Sequence, residues 1–222
     1  MNIPVRQMLV QSKNHKIKCP NIMAAEYITV HNTYNDASAN NEVQYMINNT
    51  NQVSYHFAVD DKEVVQGIPL DRMAWHCGDG NGSGNRKSIG IEICYSKSGG
   101  TKYYQAEGLA IQFIAQLLRE RGWGVERVKK HQDWSGKYCP HRILDEGRWQ
   151  SFLNAIKTEL NKKEMTSVEQ KLSDAQEDVR QEAMRLGITD GKDPFRSVNQ
   201  YYVWNAMIPL AKRIQELEKK LR

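Results

Sequence analysis

The sequence predicts an α/β fold, a mixed central β-sheet flanked by helices, followed by a small helical C-terminal domain. Three observations predict it. Strand-like and helix-like runs alternate through residues 1–160, the pattern of helices covering a sheet. One run, SIGIEICYS at 88–96, is mostly apolar and β-branched, which suits a buried central strand. Composition then turns polar at Asn161, and the remaining residues carry only helical spacing.

Each element has its own signal. EYITVH at 26–31 is β-branched and ends on a histidine. NNEVQYMINN places Val43, Met46 and Ile47 on one helical face. VSYHFAVD at 53–60 reads as a strand, and KEVVQGI pairs with it across an Asp60–Asp61 turn. CGDGNGSGN at 77–85 reads as a flexible surface loop; no G-K-[ST] follows, so it is no phosphate cradle. A strong helix then carries Leu109, Phe113, Ile114, Leu117 and Leu118 as an apolar stripe, and Gly122 stops it. The domain closes with a helix over 146–160. Residues 161–170 read as a linker to a helix over 167–186. A second helix opens at Ser197 with Gln200 as a capping box, bends at Pro209 and ends in a seam of Leu210, Ile214, Leu217 and Leu221. The domains expected are therefore 1–160 and 161–222.

Bulk properties narrow the class. The chain has 222 residues, 40% of them hydrophobic, enough for a large domain plus a small one. No apolar run reaches the length of a membrane span, and the first residues show no signal peptide, so synthesis and retention in the cytoplasm are expected. A net charge of +5 is compatible with an anionic partner. Without a secretory signal, the four cysteines are expected as free thiols plus one ligand, with Cys19 and Cys94 plainly buried.

The chemistry gathers on a few residues. His31, His131 and Cys139 are two imidazoles and a thiol, a three-donor set that leaves tetrahedral zinc one open position. Seven residues separate His131 from Cys139, enough chain to fold around one ion. Glu92 is a carboxylate inside an apolar strand, costly unless paired or solvated, and suited to act as general base. Lys137 stands two residues before the thiol, where an ammonium can face an oxyanion. Asp133 offers either an acceptor that orients an imidazole or a turn cap. Tyr55 and His56 are strand neighbours, so only one can face a site. Trp75 and His76 in AWHCG suit a groove wall, with core packing the alternative for Trp75. Metal, carboxylate and ammonium together suit hydrolysis of an amide.

These residues closely resemble the zinc-dependent N-acetylmuramoyl-L-alanine amidase family, type 2, which includes phage endolysins, autolysins and peptidoglycan-recognition proteins. The resemblance covers residues 20–160. It rests on HNT at His31, YHF at Tyr55, AWHCG, SIGIEI around Glu92, and HQDWSGKYCP from His131. It implies Zn2+ held by His31, His131 and Cys139, with Glu92 and Lys137 catalytic and Tyr55 assisting. His56, Trp75 and His76 are the candidate substrate contacts. The implied reaction cleaves the amide between N-acetylmuramic acid and L-alanine in peptidoglycan, as a phage or prophage endolysin does after release from the cytoplasm. A host autolysin and a non-catalytic recognition module are the alternatives; such modules typically lack the cysteine ligand. Residues 183–198 are similar to one repeat of the S-layer-homology type, which implies binding of a secondary wall polymer. The expected partners are thus wall components, with no nucleic acid, no membrane and a monomeric chain.

Overall fold

A computed structural model describes residues 2–162, 174–185, 210, 212–214 and 216–220. The chain divides into two compact units, Met1–Glu164 and Met165–Arg222. In chain order the first unit runs β1 (Val5–Gln7), α1 (His15–Lys18), β2 (Tyr27–Asn32), α2 (Ala39–Asn48), β3 (Phe57–Val59), β4 (Val64–Gln66), α3 (Ser83–Lys87) and β5 (Ser88–Ile93). It continues with α4 (Gly100–Arg121), β6 (Val128–Lys130), α5 (Gln132–Ser135), α6 (His141–Asp145) and α7 (Trp149–Asn161). Within the second unit, α8 (Asp174–Arg185) is described. The predicted capping box at Ser197, the bend at Pro209 and most of the 183–198 motif lie outside the described residues.

The six strands form one sheet in the order β1-β4-β3-β5-β2-β6. β2, β3, β5 and β6 run parallel, while β4 pairs antiparallel with β3, so the sheet is mixed. The predicted hairpin is present: Asp60 caps its own turn, its Oδ1 accepting from the backbone N–H of Lys62 and Glu63.

Side-chain alternation splits the sheet into two faces. On one, Ile28, Val30, Phe57, Ile89, Ile91 and Ile93 pack against Phe113, Ile114 and Leu117 of α4, with α7 behind. Ile89, Ile91 and Ile93 have no exposed surface, and burying each side chain stabilises the fold by about 1.5–3 kcal/mol. On the other face, Ala58 and Val65 meet Val43 and Met46 of α2. His31 and Glu92 alternate onto this second face, one residue before the carboxyl ends of β2 and β5. Helix α4 ends as predicted, with Gly122 at φ 64° closing the last turn.

Some expectations need correction. The glycine-rich stretch is not a loose loop: Asp79 accepts from the backbone N–H of Gly84 and Asn85, and Ser83–Lys87 form a helical turn. The 53–60 strand shrinks to Phe57–Val59, because Ser54 N–H bonds Trp75 O instead of a ladder partner. The last helix of the unit starts at Trp149, since Gly147 at φ 64° breaks the chain before it. β1 and β6 carried too little apolar pattern to be foreseen.

Candidate metal centre and active-site cleft

Three parallel strands deliver the site. β2 carries His31, β5 carries Glu92, and His131 follows directly on β6. A cleft beyond the carboxyl ends of such strands is where open α/β sheets bind ligands. The segment after His131 turns through α5 and Gly136 (φ 79°), and Gln132 N–H donates to Cys139 O at 3.1 Å. That closure returns Cys139 to His131.

The donor atoms converge. His31 Nδ1 lies 3.0 Å from His131 Nδ1 and 3.8 Å from Cys139 Sγ. A tetrahedral zinc ion sets such separations at about 3.3 Å for two nitrogens and about 3.6 Å for nitrogen and sulfur. All three residues are buried. Burial holds the His31 imidazole well below its usual pKa, and neighbouring His76, His131 and Lys137 add to this. Burial, then Lys137, lowers His131 to about 4. Both rings are therefore neutral at pH 7, as metal ligands must be. Burial raises the Cys139 thiol to about 12, so it gives up its proton to a soft cation rather than to solvent. Two ring nitrogens and a sulfur that all line the cleft, with no carboxylate among them, are a donor set for zinc; the trio His31, His76 and Cys77 is as close-set, but Cys77 does not line the cleft.

A cleft of about 430 Å³ opens over these atoms. Its walls include Glu92, Lys137, Tyr55, Trp75 and His76, so five further candidates are brought together. Glu92 Oε2 is buried with no hydrogen-bond partner among the described residues. Burial, then the charge of Glu42, raises its carboxyl to about 8, while Lys137 pulls it down. Lys137 itself is exposed at the rim. Tyr55 is 6% exposed, and its hydroxyl donates to Glu42 Oε2 at 3.4 Å. Its burial keeps the phenol protonated. Trp75 is partly buried and packs on the core while lining the cleft, so it takes both readings at once.

One expectation fails here, and one open choice is decided. His56 is not a substrate contact: it has no exposed surface, its Nδ1 accepts from Gly90 N–H at 3.0 Å, and its Nε2 donates to Arg72 O at 2.9 Å. Alternation gave the cleft to Tyr55 and left His56 behind it. Asp133 does not orient an imidazole either; it accepts from Lys130 N–H and pairs with the Lys130 ammonium, the turn-cap alternative. The sequence reading also missed Lys18, a buried ammonium that donates to Asn51 O at 2.7 Å and Val53 O at 3.1 Å. It pins the loop that forms one cleft wall. No spacing rule could flag it, since its partners lie more than thirty residues away.

The N-acetylmuramoyl-L-alanine amidase family model matches residues 21–142, more than half of the chain. The chain belongs to this family. The matched span holds His31, Glu92, His131, Lys137 and Cys139. The chain is 69% identical over 162 residues to the N-acetylmuramoyl-L-alanine amidase XlyB of Bacillus subtilis (strain 168), covering 72% of this chain and 51% of that protein. It is 66% identical over 163 residues to CwlA of the same strain, an N-acetylmuramoyl-L-alanine amidase too, covering 73% and 60%. The solved structure of PlyL superposes with a TM-score of 0.68 at 58% identity, over 71% of this chain and 98% of that one. The expected fold, a mixed sheet flanked by helices, is thus that of solved amidase-family domains. The chain spans about half to three-fifths of the length of the curated relatives it matches.

Proposed function

We propose that this chain hydrolyses the amide between the lactyl group of N-acetylmuramic acid and L-alanine in bacterial peptidoglycan, as an endolysin-like amidase. The observation that carries the reading is the meeting of His31, His131 and Cys139 donor atoms beside an unpartnered Glu92 carboxylate in one cleft. His31 Nδ1, His131 Nδ1 and Cys139 Sγ would hold a zinc ion. Bound there, zinc supplies Lewis acidity to the scissile carbonyl and to water.

The rest is the work of the protein's own groups. In its ionised form, which the charge of Lys137 favours, Glu92 accepts the proton of the attacking water as the C–O bond forms, then returns it to the leaving nitrogen as the C–N bond breaks. A lactyl carboxylate and a free L-alanine amine result. Lys137 offsets charge on the tetrahedral oxyanion from the cleft rim. Tyr55, held by Glu42, offers its aromatic body as cleft wall, and Trp75 forms the wall towards the core.

Residues 161–222 are read as a helical wall-binding region and the chain as a monomer acting on the wall after release. Among the described residues no helix is long and apolar enough to cross a membrane. Mass spectrometry of digested peptidoglycan tests the reaction: stem peptides with free L-alanine N-termini are expected, and EDTA should prevent their release. New sugar reducing ends in their place would put the cut in the glycan and refute the assignment. Fusion of residues 161–222 to a fluorescent protein tests the tail, whose failure to decorate walls would remove that role.

A further inference from the structure

His76 lines the cleft, yet both its ring nitrogens are engaged within the fold. Nε2 lies 3.3 Å from Ser88 O, and Nδ1 lies 2.9 Å from His31 Nε2. A carbonyl oxygen only accepts, so Nε2 of His76 carries the proton. The ring is buried among other imidazoles, and none of its hydrogen-bond partners is a carboxylate that could hold a second proton on it, so the ring is neutral and its Nδ1 bears a lone pair. His31 Nε2 must then donate, for otherwise two lone pairs would face each other. A neutral His31 protonated at Nε2 has a bare Nδ1, and that is the atom facing His131 and Cys139.

We infer that His76 is a positioning residue: through the chain Ser88 O, His76, His31 it fixes the His31 tautomer that presents Nδ1 to the metal. This inference rests on the zinc reading above only for its purpose, not for its geometry.

The surroundings are built to hold this ring. Asn85 Oδ1 accepts from the backbone N–H of both His76 and Cys77 at 2.8 Å. Asn85 is itself held by Asp79, whose Oδ1 accepts its N–H at 3.1 Å. The glycine-rich stretch is thus a buckle behind the metal ligand. Gly90 completes the seat: a Cβ there would stand 2.7 Å from His76 Nδ1. Cys77 Sγ packs 3.2 Å from the same Nδ1 and holds the ring from that side.

Two measurements test it. Long-range 15N–1H correlation spectra of the metal-free chain should show His31 protonated at Nε2 and bare at Nδ1. Zinc affinity, by competition with a chromophoric chelator, should fall about 10–100-fold in His76→Leu, the usual cost of losing an outer-shell partner of a ligand. His76→Asn keeps an acceptor near the Nδ1 position and should restore affinity to within about threefold, as an outer-shell hydrogen bond regained. A mere packing role would favour Leu over Asn. An Nδ1-protonated His31 in the parent, or His76→Leu binding zinc as tightly as the parent, overturns the inference. The spectrum of the parent needs no variant and decides even where His76→Leu fails to fold. A parent that binds no zinc but shows the expected tautomer refutes the metal reading and leaves the positioning role standing.

Discussion

His31 and Glu92 are Cα partners on the parallel strands β2 and β5, so imidazole and carboxylate occupy one rung and one face of the sheet. Ala58 continues the rung on β3 with a side chain too small to intrude. This pairing places a proton acceptor beside the donor cluster without making it a donor. Glu92→Gln should therefore leave zinc content unchanged and lower turnover by about 10²–10⁴-fold, the usual contribution of a general base. Zinc stoichiometry and release of L-alanine N-termini check this; a variant retaining near-parent turnover would remove Glu92 from the proton path.

Lys137 lines the cleft but touches none of the donor atoms within hydrogen-bond distance. Lys137→Met keeps the stem and removes the charge. Its kcat should fall about 10²–10³-fold, as when one oxyanion donor is lost, with little change in KM. A loss confined to KM would show that Lys137 serves binding alone.

Metal binding to a buried three-residue cluster is coupled to stability. At zinc a thousandfold above its Kd, the native state gains about 4.1 kcal/mol. For a chain of this size that corresponds to roughly 8–16 °C in Tm. Calorimetry with and without EDTA measures the difference, and Cys139→Ser should abolish most of it. Equal Tm values under both conditions would contradict a metal at this cluster.

Gly90 and Gly108 give opposed outcomes for one substitution. At Gly90 a Cβ would meet the His76 ring at 2.7–2.9 Å, whereas at Gly108, inside α4, nothing lies within 4 Å. Gly90→Ala should destabilise by about 1–3 kcal/mol through overpacking and weaken zinc binding. Gly108→Ala should stabilise by about 0.5–1 kcal/mol by favouring the helix. Urea midpoints compare the two, and a neutral Gly90→Ala would show that the ring has room to move.

Acid should unfold the metal-free domain through its buried histidines. Burial depresses His56 to about 4 in the fold, with a small opposing effect from Arg72 O. The unfolded chain, at the ordinary value of 6.5, binds the proton first. Stability is thus complete above pH 6.5 and is lost as pH falls from 6.5 towards 4. The His56 share is on the order of 3 kcal/mol. Urea midpoints at successive pH values should fall across that window, and His56→Gln should flatten the slope. An unchanged slope in the variant would assign the acid sensitivity to other groups, His31 and His76 first.

Much of this was legible in residue patterns. The donor set, the stray carboxylate in SIGIEIC and the α4 stripe follow from donor chemistry and periodicity, which a chain carries locally. The central position of β5 follows from its apolar content. The helix stop at Gly122 follows from a residue that tolerates positive φ. Local pattern does not contain register or the partners of buried polar atoms. Period-two alternation assigns faces but not rungs, so only strand pairing set Glu92 beside His31. His56 and His76 read alike in the chain. The fold spent both nitrogens of one on Arg72 and Gly90 and turned the other against His31, 45 residues away. Such choices rest on hydrogen bonds that exist only once distant segments are packed, and packing is what the tertiary structure decided.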